Sequence, residues 1–196
     1  MNAPSANRLS TSSLREKSRL MSSSEIERTL VRLAHEIVEK NNGSDGLALV
    51  GIERRGVPLA RRLARLLEMI EKKSIDVGTL DIQLYRDDLS TRDPRPVVKP
   101  GALGFDVNGR DVVLVDDVLY TGRTTRAALD ALMDYGRPKR VQLLALIDRG
   151  HRELPIEASF VGRTIQTTEH EIIEVKLEEV DDSEQVLLME RVESLP

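Results

Sequence analysis

The chain has 196 residues, 40% hydrophobic and 32% charged, with a formal net charge of −4 and no cysteine. That length suits one domain with a sizeable core rather than two. The slight acidic balance rules out a global basic field that would draw the chain to nucleic acid or acidic membrane. The missing thiols exclude disulfides and thiolate metal sites, which fits a reducing cytosol, and three histidines leave little for zinc.

The opening "MNAPSANRLSTSSLREKS" is rich in Ser, Asn and Ala without periodic apolar positions, so residues 1–18 read as a mobile tail and 19–196 as a single domain. No apolar run approaches the roughly 18 residues that span a bilayer, and the N-terminus lacks the apolar stretch of a secretory signal. A soluble cytoplasmic protein without membrane contact is expected. In "SSSEIERTLVRLAHEIVEKNNG", Ile26, Leu30, Leu33 and Ile37 fall on one helical stripe, Ser22 and Glu25 are spaced as a capping box, and Gly43 is a stop.

"LALVGI", Leu47 to Ile52, is short and apolar on both faces, as a buried parallel strand would be, and the helical pattern "GVPLARRLARLLEMI" follows it. "VGTLDIQLY" reads as a further strand leading into "RDDLSTRDPRPVVKPGALGFDVNG", some twenty residues of Pro, Gly and charge. A loop this long inside one domain is usually functional or disordered. Next come the strand "DVVLVDDV", the helix "TTRAALDALMDYG" and the strand "RVQLLALID". Alternating strands and helices imply right-handed crossovers and an α/β fold with a mainly parallel sheet flanked by helices. "IIEVKLEEV" and "EQVLLMERV" around Asp181-Asp182-Ser183 read as a C-terminal β-hairpin.

The densest signal is "VVLVDDVLYTGRTTRAALDAL". In an open α/β sheet ligands bind beyond the carboxyl ends of the strands, where Asp116 and Asp117 lie. Small and hydroxyl residues at the head of the next helix leave backbone N–H groups free, and these with the helix dipole cradle a phosphate. Thr121, Thr124 and Thr125 add hydroxyl donors. Carboxylates cannot bind that phosphate, so they call for sugar hydroxyls or a neutralising metal, and a phosphorylated ribose with Mg²⁺ satisfies every part. A purely structural alternative has the pair capping the helix and Thr-Gly-Arg-Thr forming a plain turn. No Gly-x4-Gly-Lys-Ser/Thr and no Gly-x-Gly-x-x-Gly occurs.

The apolar strand, paired acids and Thr-Gly-x-Thr turn resemble the phosphoribosyl pyrophosphate (PRPP) signature of type I phosphoribosyltransferases. With "GIERRGVPLA", "DIQLYRDDL", "GRPKRVQLLALIDRG" and "DRGHRELPI", the chain from about residue 20 to 180 looks like the PyrR family, pyrimidine-operon attenuation regulators that also act as uracil phosphoribosyltransferases. The resemblance implies the type I fold with a long flexible catalytic loop, and transfer from PRPP to uracil giving UMP and pyrophosphate. It assigns Asp116 and Asp117 to the ribose hydroxyls and, indirectly, to the Mg²⁺ that travels with PRPP. Val118, Leu119, Tyr120, Thr121, Gly122, Arg123 and Thr124 would hold the 5′-phosphate. Arg54 and Arg55 would face the pyrophosphate, joined by Arg86 when the loop closes. Base binding falls to Ile147, Asp148 and Arg149, and no residue stands out as a general base.

The family also binds an mRNA leader hairpin when UMP is present, through a basic concave face of a dimer; homodimers, or tetramers of them, are expected. Arg32, His35, His151, Arg152 and Arg163 match that face. Val31, Glu157 and Glu169 depart from it, and each Glu removes a phosphate contact and adds repulsion. Three readings therefore stand side by side: a uracil phosphoribosyltransferase that has kept or lost RNA binding, an RNA-binding attenuator with secondary catalysis, and a transferase for another base. The tyrosine of "DDVLYTG" and the segment "DRGHRELP" resemble the uracil family rather than the purine enzymes.

Overall fold

The computed structural model describes residues 13–85 and 103–192. In chain order the elements are β1 (Ser13–Ser22), α1 (Ser23–Asn41), β2 (Leu47–Ile52), α2 (Gly56–Glu71), β3 (Asp76–Leu80), a 3-10 turn at Gln83–Tyr85, β4 (Asp111–Leu119), α3 (Arg123–Met133), β5 (Arg140–Asp148), β6 (Phe160–Thr164), β7 (Glu171–Lys176), the short helix α4 (Glu178–Asp181) and β8 (Gln185–Val192).

Strands β3-β2-β4-β5-β6 lie side by side in that order, every neighbouring pair parallel. Their apolar runs serve two cores at once, because successive side chains point to opposite faces. Leu49, Val113, Val115, Leu144 and Leu146 pack with α1 and α2 on one face, whereas Val50, Val112, Leu114, Leu143 and Ala145 pack with α3 on the other. In α1, Ile26, Leu30, Leu33 and Ile37 are buried, and the Ser22 N–H donates to Glu25 Oε2 at 2.9 Å, as the capping box requires. The stop falls one residue early, at Asn42, which takes the left-handed conformation. Helix α2 sits close against β4: a Cβ on Gly56 would lie 2.2 Å from the Val115 carbonyl oxygen, so only glycine permits that approach.

A second, antiparallel sheet, β1-β8-β7, adjoins the amino end of α1, into which β1 runs directly. Met21, Ile173, Val175 and Val186 carry its inner face into the core shared with α1 and α2. Here the structure departs from the sequence expectation. Residues 13 to 18, expected in the mobile tail, are strand β1, paired from Ser13↔Val192 to Ser22↔Gln185. Its first seven residues are exposed, so main-chain pairing rather than burial holds it, and there was no apolar alternation to read. The C-terminal hairpin is present, with α4 in its connection. The strand expected through "VGTLDIQLY" stops at Leu80, and β6 was not anticipated.

Candidate active site

Asp116 and Asp117 lie near the carboxyl end of strand β4, two residues before it finishes at Leu119. Asp116 is 7% exposed. Its Oδ1 accepts the Asp117 N–H at 3.0 Å, and Asp117 Oδ1 accepts the Val118 N–H at 2.9 Å. Burial, reinforced for Asp116 by the neighbouring carboxylate, pushes Asp116 well above the ordinary carboxylate range. Burial raises Asp117 as well, against the Asp116 hydrogen bond and the positive charge of Arg55, which lower it. A buried and a half-buried carboxylate, both held above their normal range, gain by taking hydroxyl donors or a cation. Helix capping is not their role: the residue that starts α3 is Gly122, five positions beyond Asp117.

The turn that follows is built as a main-chain cradle. Leu119 is buried in the α3-side core, so it offers the turn only backbone. Gly122, at φ 92°, takes the left-handed conformation that lets α3 begin there. The helix's first N–H groups have no intrahelical partner and point out of its N-terminus. Thr121 Oγ1 accepts the Arg123 N–H at 3.4 Å, and Arg123 Nε meets Glu153 at 2.6 Å. Thr124 is half-buried, but Thr125, expected as a hydroxyl donor, is buried. Tyr120 is exposed, with the Arg149 guanidinium 3.9 Å above its ring centroid.

The segment after β5 is tied directly to this turn. The Arg149 N–H donates to the Leu119 carbonyl at 2.9 Å, and the Glu153 and Leu154 N–H groups donate to that of Thr121 at 2.9 and 3.1 Å. Ile147, Asp148 and Arg149 therefore lie beside the paired acids, as the register Leu119↔Asp148 requires. The Ile147 side chain is wholly buried in the core, so any base contact there falls to its main chain. Asp148 is engaged by the Gly150 N–H at 2.9 Å and Arg152 at 2.7 Å. The buried Arg149 side chain reaches the other sheet, donating to Thr167 Oγ1 at 2.9 Å and the Glu171 carbonyl at 2.5 Å.

On the far side of the acids, Arg54 is exposed and lines a cavity of about 500 Å³ with Arg61, Thr79 and Glu179. Arg55 is not the free cation that the sequence suggested. Its Nε and Nη2 donate to Asp181 at 2.9 and 2.6 Å, a bidentate pair reaching across to α4. The Asp181 hydrogen bond raises the Arg55 pKa, and Arg55 in turn lowers that of Asp181. Nothing in the sequence pointed to Asp181, which reads only as part of an acidic turn. Arg86 lies outside the described residues.

The five residues matched to an RNA face are mostly engaged within the chain. Arg32 bonds Glu36 at 3.2 Å and the carbonyls of Val161 and Gly162 at 3.1 and 2.6 Å. Arg163 donates to the Leu20 carbonyl at 2.5 Å and stands 3.7 Å from Glu25. His151 meets the Thr167 carbonyl through Nε2 at 2.7 Å. Arg152 is the most heavily engaged: besides Asp148 it donates to the carbonyls of Tyr120 at 2.8 Å, Gly150 at 3.1 Å and Ile156 at 2.9 Å, tying the turn after β4 to the segment after β5. His35 is exposed on α1, and Val31, Glu157 and Glu169 are exposed as well.

Residues 18–180 match the phosphoribosyl transferase domain family. The chain is 57% identical over 178 residues to the bifunctional protein PyrR of Thermus thermophilus, covering 91% of this chain and 98% of that one. It is 55% identical over 179 residues to that of Pelotomaculum thermopropionicum (91% and 99%) and 54% identical over 175 residues to that of Clostridioides difficile (89% and 99%). Among solved structures, a hypoxanthine phosphoribosyltransferase from Staphylococcus aureus superposes with a TM-score of 0.66 at 20% identity, covering 88% of this chain and 92% of that one. The enzyme of Trypanosoma cruzi gives 0.65 at 16% (90% and 98%). These two share the fold. With more than half its residues identical to those relatives over nine-tenths of its length, the chain is a member of the PyrR family of type I phosphoribosyltransferases.

Proposed function

We propose that the chain transfers the phosphoribosyl group of PRPP to uracil, giving UMP and pyrophosphate, and that with UMP bound it regulates pyrimidine genes by binding leader mRNA. One observation carries the catalytic part: two adjacent carboxylates, Asp116 buried and Asp117 half-buried, both held above their ordinary range, lie near the end of a central strand, shortly before the glycine that starts α3. Asp116 and Asp117 hold the ribose 2′ and 3′ hydroxyls, and the main chain from Leu119 to Thr124 with the head of α3 holds the 5′-phosphate. Binding is favourable at the acids because incoming donors replace repulsion between them.

Among the described residues no three His, Asp or Glu side chains cluster as a metal site. Mg²⁺ would arrive with PRPP, and Asp116 and Asp117 would hold it indirectly, through the substrate they bind. The chemistry supplied by Mg²⁺ bound with PRPP would be charge neutralisation at the pyrophosphate leaving group. Arg54 and Arg55 stand on the leaving-group side of the acids, where one well-placed cation or donor contributes about 3 kcal/mol to the transition state. The main chain around Ile147 to Arg149 offers the donors and acceptors that a uracil edge requires. Membership of the PyrR family supports the RNA role, and a dimer supplies its concave face. The competing reading, a salvage enzyme without RNA binding, is favoured by the exposed Glu157 and Glu169 and by the internal bonds of Arg32, Arg152 and Arg163.

One preparation decides both parts: a uracil-to-UMP assay run beside filter binding of a pyrimidine-operon leader hairpin, with and without UMP. Turnover together with UMP-stimulated, salt-sensitive binding is expected. Turnover without binding would leave the salvage enzyme, and no turnover with uracil would overturn the catalytic assignment.

A further inference from the structure

We infer that Asp181 is a positioning residue for the leaving-group subsite: it grips Arg55 from the side so that the guanidinium serves the pyrophosphate instead of collapsing onto Asp117. The inference rests on the reading of Arg55 as a pyrophosphate ligand.

Arg55 stands where β2 gives way to α2, and Asp181 is the last residue of α4, 126 positions away. Both bonds of the pair, 2.9 and 2.6 Å, use the Nε and Nη2 edge of the guanidinium. The Nη1 edge is no part of this fork, and a planar cation held along one edge has its remaining donors aimed in a fixed direction. Asp181 is itself fixed, since its Oδ2 also accepts the Leu177 N–H at 3.0 Å. The segment that carries it is tied to α2 by Arg62, which bonds Glu179 at 2.8 and 2.6 Å and also Glu184. The Arg55 and Asp181 side chains are 25% and 17% exposed, so water competes for this pair less than for a surface ion pair. The other carboxylates that act on Arg55 are Asp117 and Glu174. Released from Asp181, Arg55 is drawn toward them, and a guanidinium on Asp117 occupies the oxygens that the ribose hydroxyls need.

The test is titration calorimetry of PRPP with Mg²⁺ on the wild type, Asp181→Asn, Arg55→Gln and the double variant, with steady-state kinetics alongside. Asp181→Asn is expected to weaken PRPP binding about tenfold and raise the KM for PRPP equally, with the KM for uracil unchanged and kcat within about twofold. The double variant is expected to bind no more weakly than Arg55→Gln, because residues acting through one contact are not additive. Asp45→Asn, which breaks the exposed Lys73 pair outside the site, is expected to leave PRPP affinity within twofold. Arg55→Lys gives a second measurement that does not need Asp181→Asn to fold: it keeps the charge, loses the planar fork and should bind PRPP as weakly as Asp181→Asn. Wild-type affinity in Arg55→Lys or Asp181→Asn, additive losses in the double variant, or an equal loss in Asp45→Asn would overturn the inference alone. A wild type that binds no PRPP would overturn the functional reading and the inference with it.

Discussion

Two charged regions of this molecule are built on opposite plans. At the carboxyl edge of the parallel sheet the buried Asp116 and the half-buried Asp117 are adjacent, and desolvation holds both above their ordinary range. On the face of α1 and β6, Arg32 and Arg163 are bonded to main-chain carbonyls of their own chain. The first region stores unfavourable electrostatics that a ligand relieves; the second has its cations already engaged, so a phosphate there must compete with existing acceptors. Charge left unsatisfied in a folded protein is the better pointer to a ligand than charge alone.

The sharpest way to break this contrast is Asp116→Asn with Asp117→Asn. Transfer is expected to fall at least about a thousandfold, since both ribose contacts are lost. The fold should gain. The pair's pKa values are raised above the ordinary 3.8, so the stability cost is absent below that pH and appears as pH rises through the raised values. Removing the charge removes the cost, and the melting temperature at neutral pH should rise by about 2–4 °C, near 1 kcal/mol for a chain of this size. A double variant that keeps near wild-type turnover would void the ribose assignment.

The second change sharpens the other side. Glu157→Arg with Glu169→Lys should raise affinity for the leader hairpin at least about tenfold at physiological salt and steepen the log–log salt dependence by about 1.4–1.8, or about 0.7–0.9 per added phosphate contact. An unchanged slope in salt-titrated filter binding would mean that those positions do not face RNA. Arg32→Ala comes next: its bonds to the Val161 and Gly162 carbonyls predict a loss of about 1 kcal/mol, or 2–4 °C in thermal melting, without RNA present. The smallest effect concerns Lys17 and Glu171, 2.6 Å apart, which tie β1 to β7. Lys17, with the Thr168 N–H, holds the Glu171 carboxyl down at about 2. A depressed carboxyl stabilises above its ordinary 4.5 and loses that contribution as pH falls toward 2, so amide exchange in β1 should quicken across that window. Lys17→Met should flatten the response.

The central fold was legible because burial on both faces leaves unmistakable marks: β2, β4 and β5 are continuous aliphatic runs, and α1 shows its stripe and capping box. Strand β1 was not, since "SLREKSRLMS" buries only Met21 and owes its form to pairing with β8. Strand β6, five residues with only Phe160 buried, carried equally little pattern. In the site, the paired acids stood out because packing never asks for them at a strand's end. The partners of the arginines did not. Asp181 lies 126 positions from Arg55 and Val161 lies 129 from Arg32, and no local pattern encodes a meeting at that separation. Arg152 sits in a motif matched to RNA, and nothing local announced that it also bonds the Tyr120 carbonyl, 32 positions away.

Ser22 is both the last residue of β1 and the residue that starts α1. Strand and helix therefore share one phase, with no linker to absorb an error. Adding a single residue at this junction would turn the helix by about 100° against the strand and carry the Ile26, Leu30, Leu33 and Ile37 stripe out of the core. Loops elsewhere in the chain can drift in length over evolution, whereas this joint is spelled letter by letter.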